Sequence, residues 1–251
     1  MLKHHEESIE KMIAHYRETP EIEALFLIGS VATGTERPDS DLDGVAVVPE
    51  EYYEQKKKIG KTMDSYWGKC TYEGGYFDVH FKTNQELVNL AENGSEPMRN
   101  MFSCARTLFS DDPELPELVK RIPVFQKSEK AAKQLRYYCT LRQSFNYFWM
   151  VCKPEGFARV HTASGMIFCL YRLILLENEI LFPSVRKLER TVKIAPNKPE
   201  NIIEKCQHFI QTMADEDALA LVESYENWTS YDYPKDFQFV ANNFNDPYEN
   251  Q

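Results

Sequence analysis

Apolar residues recur at helical spacing near the start of the chain. Ile9, Met12, Ile13 and Tyr16 fall on one face of residues 5 to 18, which predicts an amphipathic helix closed by Thr19-Pro20. The pattern then shortens. Residues 24 to 28 form an unbroken apolar run that stops at Gly29-Ser30, as a buried strand does on entering a turn. After a polar loop containing Pro38, residues 41 to 48 predict a second strand whose first positions alternate acid, apolar, acid. Residues 51 to 64 read as a charged helix, residues 75 to 81 as a third strand, and residues 106 to 109 as a weak fourth before a loop over 110 to 113.

Beyond Pro123 the strand signals stop. Leu135, Tyr138, Arg142, Phe145 and Trp149 share one stripe of a helix predicted over 127 to 153, and residues 157 to 181 are apolar on nearly all sides, as the central helix of a bundle is. Shorter helices are expected over 184 to 194, 199 to 213 and 215 to 227. The fold class is therefore a mixed α/β (α+β) domain with a small mixed sheet, residues 1 to 121, followed by an all-α bundle, residues 122 to 251. From Trp228 onward the chain is rich in Tyr, Phe, Asn and Asp without period, and no element is assigned there.

The 251 residues are 43% apolar and 27% charged, which excludes disordered and low-complexity classes. The longest apolar stretch, residues 163 to 176, contains Arg172 and falls short of a membrane span, and the N-terminus has no apolar core of a signal peptide, so a cytoplasmic protein is expected. Six Cys occur without a C-x-x-C pair, and Cys139, Cys152 and Cys169 sit in apolar helical patterns, which suits structural thiols. A net charge of −10 argues against non-specific nucleic-acid binding. The charge is uneven: 14 Lys/Arg against 23 Asp/Glu over residues 1 to 121, 14 against 7 over 122 to 213, and 1 against 9 from 214 to the end. Such a split suits two halves facing metal and phosphate, or equally an ordinary scatter of solvated charge.

Asp41 and Asp43 stand two apart on a predicted strand, so their carboxylates leave the same face with Cα atoms roughly 6 to 7 Å apart. Asp78 lies among apolar residues on another strand; if the two strands are neighbours, three carboxylates converge. Each like-charged pair 4 Å apart costs about 4 kcal/mol at an effective dielectric near 20, so the cluster calls for divalent cations, and oxygen ligands select Mg²⁺ or Mn²⁺. Gly29-Ser30, ahead of a short helix, allows close approach of a ligand, a hydroxyl donor and backbone N–H groups suited to phosphate.

These residues resemble a known family. Leu27-Ile28-Gly29-Ser30-Val31-Ala32-Thr33-Gly34 followed by Pro38-Asp39-Ser40-Asp41-Leu42-Asp43 is similar to the G-S-x-A-x-G and S-D-x-D signature of the nucleotidyltransferase superfamily with the polymerase-beta-like fold, and Asp78 matches its third acid. The resemblance implies transfer of a nucleoside monophosphate, AMP from ATP being the first choice, to a hydroxyl, with release of pyrophosphate. It implies two Mg²⁺ ions (or Mn²⁺) on Asp41, Asp43 and Asp78, with Asp78 as general base and Gly29, Ser30 and the local backbone on the β- and γ-phosphates. Ser40 either supports the turn or touches nucleotide. His80, two residues after Asp78, either orients the acceptor or is a rim histidine.

In the helical half, His161, Gly165, Phe168 and Arg172 share a stripe, and Arg172 and Arg142 each either pair with an internal acid or face a cleft, where Arg172 is a nucleotide-binding candidate and His161 and Arg142 are acceptor-side candidates. Arg186, Lys187 and Arg190 form a basic cluster in which Lys187 is the expected contact to the triphosphate. The two-domain plan resembles antibiotic nucleotidyltransferases acting on aminoglycosides or lincosamides. A small-molecule acceptor and an NTP are thus the expected partners, with no nucleic acid or membrane, in a monomer or homodimer. Two other readings stand beside it: a protein adenylyltransferase similar to the minimal nucleotidyltransferases of toxin-antitoxin pairs, and a silent nucleotide-binding module.

Overall fold

The computed structural model describes residues 1–244. The end of the acidic, aromatic C-terminal stretch, 245–251, lies outside them. The chain divides into two compact units, Met1–Val124 and a second beginning at Phe125.

The first unit contains α1 (Lys3–Arg17), β1 (Ala24–Leu27), α2 (Gly29–Thr33), β2 (Leu42–Val47), α3 (Glu50–Lys58), β3 (Met63–Trp67), β4 (Tyr76–Lys82), α4 (Asn84–Asn93), α5 (Glu96–Met101), β5 (Arg106–Ser110) and α6 (Glu114–Arg121). The strands make one mixed sheet in the order β3-β4-β2-β1-β5. Only β2 and β4 run parallel; the other neighbours are antiparallel. Alternation along the strands splits the core. Leu25, Leu27, Leu42, Ala46, Phe77, Val79 and Phe81 pack with Ile9, Met12 and Tyr16 of α1, whereas Phe26, Val45 and Val47 pack with Leu87, Leu115 and Val119 of α4 and α6. On this second face β4 offers the half-buried Tyr76, Asp78, His80 and Lys82.

The helix expected to run to residue 64 ends at Lys58. Gly60 takes φ +67°, and the chain turns into β3, an edge strand with a mostly exposed pattern that no apolar run announces. Three further helices, α4 to α6, were not evident from periodicity. A capping box between Thr83 and Glu86 starts α4. Buried Arg99 on α5 donates to the carbonyls of Ala91, Gly94 and Ile122 at 2.8, 2.8 and 2.9 Å, tying α4, α5 and the end of α6 together.

The second unit is helical: α7 (Lys127–Gln143) passing into a π-helical turn (Ser144–Trp149), α8 (Gly156–Glu177), α9 (Val185–Ile194), α10 (Ile202–Thr212), α11 (Asp215–Glu226) and α12 (Phe237–Asn243). The π turn ends the first of these earlier than the expected residue 153, and α12 lies in the stretch after Trp228, where the sequence shows no period. Helix α8 supplies the centre of the core: Ala163, Met166, Cys169, Leu170 and every residue from Leu173 to Leu176 are fully buried. By length and composition alone α8 could cross a membrane, and 56% of its apolar window is buried inside the unit, as suits a core helix. Cys139 and Cys169 are buried, whereas Cys152 is exposed just past the π turn.

Candidate active site

The site grows from the seam between β1, β2 and β4. Strand β1 is wholly buried and leaves the sheet at Ile28, whose N–H donates to the Asp43 carbonyl at 2.9 Å. Gly29 then takes φ +72°, and a Cβ built on it would fall inside the Asp43 carboxylate. Two independent constraints, left-handed backbone and absence of space, therefore require glycine here. Ser30 follows, half-buried, at the start of α2.

The loop from α2 to β2 is braced from several sides. The Ser40 hydroxyl is buried and accepts the Arg37 N–H at 2.9 Å, which is the turn-supporting role. The Tyr72 hydroxyl donates to the Ser40 carbonyl, and the His4 ring lies 2.9 Å from the Pro38 carbonyl. Asp41 therefore emerges from a fixed turn one residue before β2.

Parallel pairing of β2 with β4 sets Asp43 directly beside Asp78. Carboxylate oxygens of Asp41, Asp43 and Asp78 lie within 4.8 Å of one another, and all three residues are half-buried. Hydroxyls line the outer side. Tyr76 hydrogen-bonds Asp41, and that bond, with burial and the charges of Asp41, Asp78 and Asp43, pushes the phenol up to about 12. Ser65 on β3 makes a long hydrogen bond of 3.4 Å to Asp78. Neither residue was expected from the sequence. Tyr76 shares the alternation of Asp78 and was findable from it, while Ser65 depends on a strand the sequence did not announce. His80 is half-buried on the same face, opposite Val45 and Met63.

Donors that are all oxygen, gathered at a spacing where each like-charged pair costs roughly 3 to 4 kcal/mol at an effective dielectric near 20, fit a hard divalent cation.

The helical unit treats its charged residues differently. Arg142 pairs with Glu226 at 3.3 Å, so its partner is an internal acid. Arg172 is 3% exposed, with its guanidinium 4.4 Å above the Phe182 ring and 5.0 Å from that of Tyr137. This core position differs from the cleft reading and gives a nucleotide no access to the charge. His161 is exposed and stacks on Phe157, and Lys187, Arg186 and Arg190 are exposed on α9.

Residues 10–114 match the family described as Polymerase beta, Nucleotidyltransferase. No curated protein matches the chain. Among solved structures the chain is similar to a nucleotidyltransferase-like protein from Exiguobacterium sibiricum 255-15, at 12% identity and a TM-score of 0.48, over 89% of this chain and 73% of that one. The matched segment holds the glycine-serine corner, all three acids and the β2-β4 pairing that joins them; over residues 10–114 the chain carries a polymerase-beta-like nucleotidyltransferase domain.

Proposed function

We propose that this protein transfers a nucleoside monophosphate, AMP from ATP, to a hydroxyl of a small molecule such as an aminoglycoside- or lincosamide-like acceptor, releasing pyrophosphate. The observation that carries the reading is the meeting of Asp41, Asp43 and Asp78 within 4.8 Å beside the Gly29-Ser30 corner. Two Mg²⁺ or Mn²⁺ ions held by these carboxylates would supply charge neutralisation and Lewis acidity at the α-phosphate.

The chain's own groups divide the remaining work. Gly29 leaves room for the Asp43 carboxylate at the corner, and the Ser30 hydroxyl binds the β- and γ-phosphates. Asp78 takes the proton of the acceptor hydroxyl as the new O–P bond forms and the bond to pyrophosphate breaks. Ser40, Tyr72 and Tyr76 hold the turn and the Asp41 carboxylate in place. Lys187, exposed on α9, carries a cation of the kind that binds phosphate oxygens.

The test is mass spectrometry of products after incubating the protein with Mg²⁺, mixed NTPs and a panel of aminoglycosides, lincosamides and hydroxylated metabolites. One acceptor gaining a nucleoside monophosphate, with equimolar pyrophosphate, is the expected result. A nucleoside monophosphate found only on protein, or no product from any acceptor, would contradict it.

A further inference from the structure

An aromatic ring with no part in the transfer chemistry stands beside the acids, stacked on the tyrosine that holds Asp41. Trp67, the last residue of β3, is 67% exposed although it is the largest apolar side chain in the strand. It stacks on Tyr76 with ring centroids 4.1 Å apart and planes 18° from parallel. Register fixes where this pair lies. Trp67 faces Tyr76 and Ser65 faces Asp78 across the same two strands, so the rings sit one alternation, roughly 7 Å, along from Asp78 on its own face of the sheet.

Strand order then gives the pair a side. The Gly29-Ser30 corner reaches Asp43 from β1, while Asp78, Ser65, Tyr76 and Trp67 lie on β4 and β3, across β2 from it. Attacking and leaving oxygens must be roughly in line through the phosphorus. If pyrophosphate departs over the corner, the acceptor arrives from the β4-β3 side. We propose that Trp67, backed by Tyr76, is the platform on which the acceptor lies, and that it selects a ring-bearing, hydroxylated compound carrying positive charge; the inference rests on the transferase reading above.

The preference for a cation has two sources. An indole face attracts an ammonium group through its quadrupole, more strongly than phenol or phenyl rings do. The acids next to it keep the local potential negative, and a bound triphosphate restores that sign when divalent ions are present. A neutral sugar gains only the stacking.

Matched probes test this: the trimer of β-1,4-linked glucosamine, with its amines protonated, against neutral cellotriose, the β-1,4-linked glucose trimer, each titrated into the full chain with Mg²⁺ and α,β-methylene-ATP. Calorimetry is expected to give binding of the glucosamine trimer that weakens about tenfold in Trp67→Ala and less than about threefold in Trp67→Phe. The affinity for α,β-methylene-ATP should not change in either variant, and the trimer should quench indole fluorescence in the wild type but not in Trp67→Phe. Equal trimer binding by wild type and Trp67→Ala, no binding by wild type, or equal affinity for cellotriose would overturn the proposal. So would a loss confined to the nucleotide analogue, which would make the pair a base-stacking surface. The two readings fail separately. Trimer binding that depends on Trp67, without transfer to any acceptor, removes the transferase and leaves the platform; transfer indifferent to Trp67→Ala removes the platform and leaves the transferase.

Discussion

Both units pair acids with cations, and the N-terminal unit departs from this at one place on its sheet. In the helical unit, acids are matched with cations or donors: Glu226 with Arg142, Lys235 and the Tyr138 hydroxyl, and Glu179 with Lys127 and Lys130. Its most deeply placed cation, Arg172, lies against aromatic rings. In the N-terminal unit the sheet brings like charges together, three carboxylates within 4.8 Å with hydroxyls of Tyr76 and Ser65 around them. Matched charge serves the fold. Gathered like charge is a cost to the fold, and its return lies in a ligand that the acids hold.

The sharpest way to break this contrast is to remove one acid from each unit. Asp43→Asn should lower pyrophosphate release by about 1000-fold or more, with a thermal midpoint, measured in chelator, that is unchanged or higher because repulsion is relieved. A marked loss of stability would mean that Asp43 is structural. Gly29→Ala comes next. The added methyl group has no room beside Asp43 and its φ is unfavourable, so activity should fall about 100-fold and stability by roughly 1 to 2 kcal/mol, read by denaturant unfolding.

In the helical unit the sign reverses. Glu226→Ala leaves Arg142 and the Tyr138 hydroxyl without their acceptor, and unfolding free energy should drop by about 2 kcal/mol while divalent-ion binding stays the same. The smallest effect concerns pH. His5, fully buried at the foot of the 34–41 loop, has its pKa lowered, chiefly by burial and then by His4, against the opposing pull of Glu36. Because the folded state protonates later than the unfolded one, stability should decline as pH falls below about 6.5. His5→Phe should flatten that decline, checked by urea midpoints at pH 7.5 and pH 5.

How far the sequence carried these conclusions depends on the kind of signal. The corner and the Asp41-Asp43 pair were legible because motif, spacing and local periodicity coincide within fifteen residues. The place of Asp78 was conditional, since only the parallel pairing of β2 with β4 joins it to Asp43, and strand order is a long-range property. Strand β3 was hidden by its exposed, mixed side chains, and with it went Ser65 and Trp67. Arg142 and Arg172 show the reverse limit: the stripe placed them on core-facing helix surfaces, but whether an acid or an aromatic ring would meet them is decided by other helices. The π turn at Ser144–Trp149 leaves the apolar stripe intact and so gives no sign in periodicity.

Transfer chemistry at this site depends on what the three carboxylates hold. Crystals soaked with Mn²⁺ and α,β-methylene-ATP, measured at the manganese absorption edge, address this directly. The expected result is anomalous density bounded by Asp41, Asp43 and Asp78, with the triphosphate against Gly29 and Ser30. Manganese bound elsewhere on the chain, or a triphosphate away from that corner, would contradict it.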